Sequence, residues 1–169
     1  MDAFIEESKK AWVGKISLDV PDSLIERVLK VCGPIESWKR STDGKGNLKG
    51  FGFCYYQDIQ GVYYCYTLLN DYNICGSCLS IKLDKKTENH LKHWKSELKS
   101  TWLWRSKGQN INMDEIEDLE SWSNLGEKVY PPWESEIIKE FNFKQIEELI
   151  GNKHLVSLFI FSMKTFRRE

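Results

Sequence analysis

With 169 residues, 41% hydrophobic and 29% charged, the chain can bury one good core and at most a small appendage, and it leaves no low-complexity tract to explain. A net charge of -1 argues against a strongly nucleic-acid-binding whole, yet the charge is unevenly placed: residues 1–105 carry 16 Lys and Arg against 13 Asp and Glu, while residues 106–169 carry 8 against 12. No apolar N-terminal segment follows a basic run, and the longest apolar run, residues 155–163, is broken by Ser157 and Ser162, so the sequence predicts an intracellular, soluble chain with reduced cysteines and no membrane partner.

Residues 1–9 are polar. Residues 10–16 read as a first strand, with Ala11 and Val13 facing inward and Trp12 on the other face. Pro21 and the box Ser23-Leu24-Ile25-Glu26 start a helix, in which Leu24, Val28, Leu29 and Cys32 recur at helical spacing until Gly33-Pro34 stops it. A second strand over 35–40 puts Ser37 and Lys39 on one face and Trp38 and Arg40 on the other; Trp38 is read as a core residue under the sheet, with base stacking as the alternative. Residues 42–47 are a turn-rich loop in which Lys45 is read as solvated.

The most informative stretch follows, Lys49-Gly50-Phe51-Gly52-Phe53-Cys54-Tyr55-Tyr56. Its period of two places Lys49, Phe51, Phe53 and Tyr55 together, and aromatic rings beside a lysine on an open strand face suit single-stranded RNA: bases stack on rings and phosphates pair with cations. Asp58 begins a second helix with Val62, Cys65, Tyr66 and Leu69 inward, residues 70–77 turn the chain back, and Leu79, Ile81 and Leu83 alternate inward along a fourth strand that leaves Ser80 and Lys82 beside the aromatic face. The order βαββαβ predicts an α+β, ferredoxin-like fold, a four-stranded antiparallel sheet with both helices on one side. A third helix over 85–105 carries Leu91, Trp94, Leu98 and Trp102 on one stripe. Beyond Gly108 come an acidic segment at 110–123 with Ile116, Leu119 and Trp122, an interruption at Pro131-Pro132, a helix over 137–150 and an apolar stretch at 155–166, together a C-terminal helical extension. The expected division is 10–84, 85–105 and 106–169.

The eight residues from Lys49 resemble the RNP1 pattern of the RNA recognition motif, with Cys54 where an aliphatic is usual, and Ala11-Trp12-Val13-Gly14-Lys15-Ile16 resembles its partner RNP2. The run Cys32-Gly33-Pro34-Ile35-Glu36-Ser37-Trp38-Lys39-Arg40, the Gly-Phe-Cys segment, Asp84-Lys85-Lys86-Thr87 and Trp94-Lys95 narrow the resemblance to the RNA-binding motif protein 25 family of splicing factors, over about residues 10–97. That resemblance implies nuclear pre-mRNA splicing, splicing proteins as partners and association with the machinery that recognises 5′ splice sites. The family's Arg/Glu-rich region and Pro-Trp-Ile domain are not matched. The expected RNA contacts are Trp12, Phe51 and Phe53 for stacking, with Lys39, Arg40, Lys49 and Lys82 on phosphates or base edges. An alternative is a sheet covered by the C-terminal extension, which makes the domain a protein-interaction module.

Other chemistry is weighed and set aside. Cys75 and Cys78 followed by His90 and His93 have spacings that miss the zinc-finger pattern, and the pair falls in a turn and strand the sheet requires. Two surface thiols and two exposed helix histidines are expected there. No nucleophile, phosphate-cradling loop or paired acids point to an enzyme, and no cofactor is implied.

Overall fold

The computed structural model describes residues 7–107 and 130–151. These fall into two compact units, one running through His90 and resuming at Asn142, the other Leu91–Phe141.

The first unit contains β1 (Lys10–Gly14), α1 (Asp22–Cys32), β2 (Ile35–Thr42), β3 (Leu48–Tyr56), α2 (Ile59–Tyr64), a short hairpin of β4 (Asn73–Ile74) and β5 (Ser77–Cys78), and β6 (Ser80–Leu83). The sheet order is β2-β3-β1-β6 with antiparallel neighbours throughout, the α+β βαββαβ fold that the sequence predicts. Strand alternation builds the core: Ala11, Val13, Cys54, Tyr56 and Ile81 are buried, with Leu24, Ile25, Val28 and Leu29 of α1 and Val62 of α2. Each Val, Leu or Ile side chain so removed from water contributes about 1.5–3 kcal/mol. The Tyr56 hydroxyl, carried inward with its ring, donates to the Leu29 carbonyl at 2.8 Å. Burial pushes the pKa values of the Tyr56 hydroxyl and the Cys54 thiol up.

Several local expectations are corrected. Helix α1 begins at Asp22 with Pro21 as its N-cap, and no side chain caps it; the Asp22 carboxylate instead accepts from the Trp38 indole N–H at 2.7 Å. After Tyr64 the chain continues as a π-helical turn, Cys65–Leu69. The wider turn breaks the 3.6-residue count, so Tyr66 is exposed while Cys65 and Leu69 stay buried. The reversal at 70–77 contains the β4–β5 hairpin, in which the Asn73 side chain accepts from the Gly76 N–H at 3.1 Å.

Helix α3 (Lys85–Arg105) starts where the Asp84 carboxylate accepts from the Thr87 N–H at 2.9 Å. His90 is buried with Nδ1 3.1 Å from the Ser8 carbonyl, which corrects its expected exposure. In the second unit, α4 (Pro132–Lys139) packs Trp133 against Trp102 of α3, ring centroids 5.8 Å apart. Proline is well suited to the first helical position, so this helix begins at Pro132 rather than at Ile137. It ends near Glu140, and a separate helix, α5, spans 143–151 in the first unit. Asn142 caps α5 by accepting from the Gln145 N–H at 3.0 Å, and Ile146 is fully buried. The segments expected at 110–123 and 155–166 lie outside the described residues. Among the described residues no helix is long and apolar enough to cross a membrane.

Candidate nucleic-acid interface

Directly opposed residues of antiparallel strands share a face, so the pairings read off rows across the sheet. One row runs through all four strands: Lys39 of β2, Phe53 of β3, Trp12 of β1 and Lys82 of β6. Two aromatic rings are thus flanked by two exposed lysines. The neighbouring row is Ser37, Tyr55 and Lys10. Phe51 lies on the other side, its ring 5.9 Å from that of Trp12 and tilted by 30°. Trp12, Phe51 and Phe53 are half-buried, whereas Tyr55 is 36% exposed.

Cations already sit on this aromatic floor. Lys82 Nζ is 5.2 Å from the Trp12 ring centre, and Lys10 Nζ is 4.5 Å from that of Phe53 and 5.8 Å from that of Tyr55. Such contacts are each about 0.5–1 kcal/mol at exposed sites, less than the 1–3 kcal/mol of a stacked base, so a nucleic acid can displace the lysines toward its own phosphates.

Of the residues predicted from sequence, the structure brings Trp12, Phe51, Phe53, Lys39 and Lys82 together, and Lys49 extends the same face at the start of β3. Arg40 is not among them. It pairs with Gly52 on the opposite face and is 8% exposed. Its guanidinium donates to the carbonyls of Lys49 at 2.8 Å, Val20 at 2.6 Å and Ser17 at 3.3 Å, which commits its donors to joining β2 and β3 to the β1–α1 loop. Burial lowers the guanidinium's pKa, and the Asp22 charge acts in the opposite direction. Lys10 and Tyr55 were missing from the predicted contacts, although each shares the parity of an expected stacking residue, Trp12 and Phe53 respectively.

The zinc alternative gains nothing from the geometry. Besides the His90 contact with Ser8, His93 Nε2 lies 3.6 Å from Glu97, and among the described residues no cluster of three His, Cys, Asp or Glu side chains forms.

A family model for the RNA recognition motif matches residues 11–80. RNA-binding protein 25 of human and of mouse are each 34% identical to the chain over 109 residues, 64% of this chain and 13% of the relative's length. Among solved structures, the Rna15 RRM with bound RNA (GU) has 20% identity and a TM-score of 0.44, covering 54% of this chain and 98% of that one. The RRM3 domain of Hrb1 has 21% identity and a TM-score of 0.44, covering 48% and 81%. Both sequence motifs lie on adjacent inner strands of a β2-β3-β1-β6 sheet, and over residues 11–80 the chain is similar to the RNA recognition motif family.

Proposed function

We propose that the chain binds single-stranded RNA on the open face of this sheet, without catalysis of its own. The observation that carries the proposal is the four-strand row Lys39–Phe53–Trp12–Lys82 with Phe51 beside it. Bases stack on Trp12 and on Phe51 or Phe53 at about 1–3 kcal/mol each, and Lys39, Lys49 and Lys82 meet phosphates around them. Stacking supplies most of the affinity, because the charge surplus of residues 1–105 is small. Each phosphate neutralised adds about 0.7 to the slope of log affinity against log salt on a single strand, so binding is modest and salt-sensitive.

A nuclear role in pre-mRNA splicing, with splicing proteins as partners and the 5′ splice-site machinery as the setting, rests on the resemblance to RNA-binding protein 25 and its 34% identity. Replacing both Phe51 and Phe53 by Ala tests the RNA reading. A folded double variant should bind single-stranded RNA at least tenfold more weakly, about 1.4 kcal/mol or more. Unchanged affinity refutes it.

A further inference from the structure

We infer that Gly14 is a positioning residue for the RNA face: its missing side chain lets the Trp12 indole lie down along β1 and join Phe51 in one aromatic floor. The inference rests on the RNA-binding reading above and names how its central ring is held.

Gly14 follows Trp12 by two residues and points to the same open face. Even so it is buried, while Ser80, its partner in β6, keeps partial exposure. The cover is the indole. A Cβ built on Gly14 would overlap Cη2 and Cζ3 of Trp12 and stand 2.8 Å from Cζ2, and these are its three nearest neighbours. The six-membered ring therefore lies over the Gly14 backbone. With Phe51 tilted only 30° away and Lys82 beyond, the indole presents a face rather than an edge to a base. Stacking needs that face.

Gly52 shows what a structural glycine looks like in the same sheet. A Cβ there would meet the Lys39 carbonyl oxygen at 2.5 Å and Arg40 Cα at 2.8 Å, both backbone atoms of β2, so substitution strikes the strand pairing itself. At Gly14 the obstacle is only the far end of a side chain that can rotate away. Its φ also lies outside the left-handed region, so the backbone accepts any residue. A methyl group at position 14 should lift the indole and spare the strand.

The experiment is a double-mutant cycle on the full chain: Gly14→Ala, Trp12→Ala and the pair, each titrated against a labelled, random-sequence single-stranded RNA, with thermal melting alongside. Trp12→Ala should weaken binding about 5- to 150-fold, the equivalent of one lost stack. Gly14→Ala should lose a comparable factor at an unchanged melting midpoint, and its effect should vanish once Trp12 is gone. If Trp12→Ala binds as the parent does, stacking on this ring fails and the RNA reading with it. If Trp12→Ala weakens binding but Gly14→Ala does not, or if the two losses multiply, only the positioning role of Gly14 is overturned. Should Gly14→Ala fail to fold, Trp12→Phe with Gly14→Ala decides: a phenyl ring lacks the atoms that overlap position 14, so this pair should fold and bind as Trp12→Phe alone. Its failure to fold assigns Gly14 to the strand and overturns the inference.

Discussion

Lys39 and Arg40 are adjacent cations on one strand, and their replacement by Ala should give opposite results. Arg40 makes three charge-assisted hydrogen bonds to backbone carbonyls, at 2.6, 2.8 and 3.3 Å, and the bond to Val20 is fully buried. Such bonds are each about 1.5–3 kcal/mol, and because water can reach two of the three acceptors the loss should total about 2–4 kcal/mol. A domain of this size then melts at least about 8 °C lower. The Lys39 side chain is exposed beside Phe53, so Lys39→Ala should melt like the parent. It should instead reduce the salt slope of RNA binding by about 0.7, about a fivefold weakening at 0.1 M relative to 1 M salt. Differential scanning calorimetry and RNA titrations at four salt concentrations measure both quantities. An Arg40→Ala variant that melts with the parent while losing a unit of salt slope would show the guanidinium to be a phosphate ligand, and the assignment of the two faces would be wrong.

Two further outcomes follow from local chemistry. The Asp43 carboxylate accepts from the N–H groups of Asn47 at 3.0 Å and Lys45 at 2.7 Å, which hold its pKa below the ordinary carboxylate value. A lowered folded pKa gives stabilisation that is present above the unfolded value of about 3.9 and is lost as pH falls through the folded one, so the Lys45 and Asn47 amide resonances should move together only below pH of about 4; resonances unmoved down to pH of about 2 would contradict the turn. Ile146 is fully buried although it lies far beyond the family match, so Ile146→Ala should cost about 2–5 kcal/mol in chemical denaturation, and an unchanged midpoint would remove α5 from the fold of the first unit.

The sheet and its aromatic face were legible because period-2 alternation is local: Phe51 and Phe53 against Cys54 and Tyr56 can be sorted by parity alone. The same parity sets Arg40 opposite Lys39, on the face where its guanidinium is buried among backbone carbonyls. Long-range partners were out of reach. Nothing near Asp22 in sequence announces the Trp38 indole that takes its carboxylate, and nothing near His90 announces the Ser8 carbonyl. Tyr66 departs from the helical count because a π-helical turn carries no compositional mark, and α4 starts early because the second residue of Pro131-Pro132 opens a helix rather than ending one. The overlap between position 14 and the Trp12 ring is likewise a matter of rotamer, which a sequence does not print.

The central claim is that RNA lies on the open sheet face, and amide chemical shifts followed during titration with a single-stranded RNA test it most directly. Shifts concentrated in β1 and β3 around Trp12, Phe51 and Phe53, spreading to Lys39 and Lys82 on the flanking strands and leaving Leu24 to Leu29 of α1 unmoved, are the predicted result. Saturable binding that moves the α1 and α2 resonances and leaves β1 and β3 where they were would contradict it.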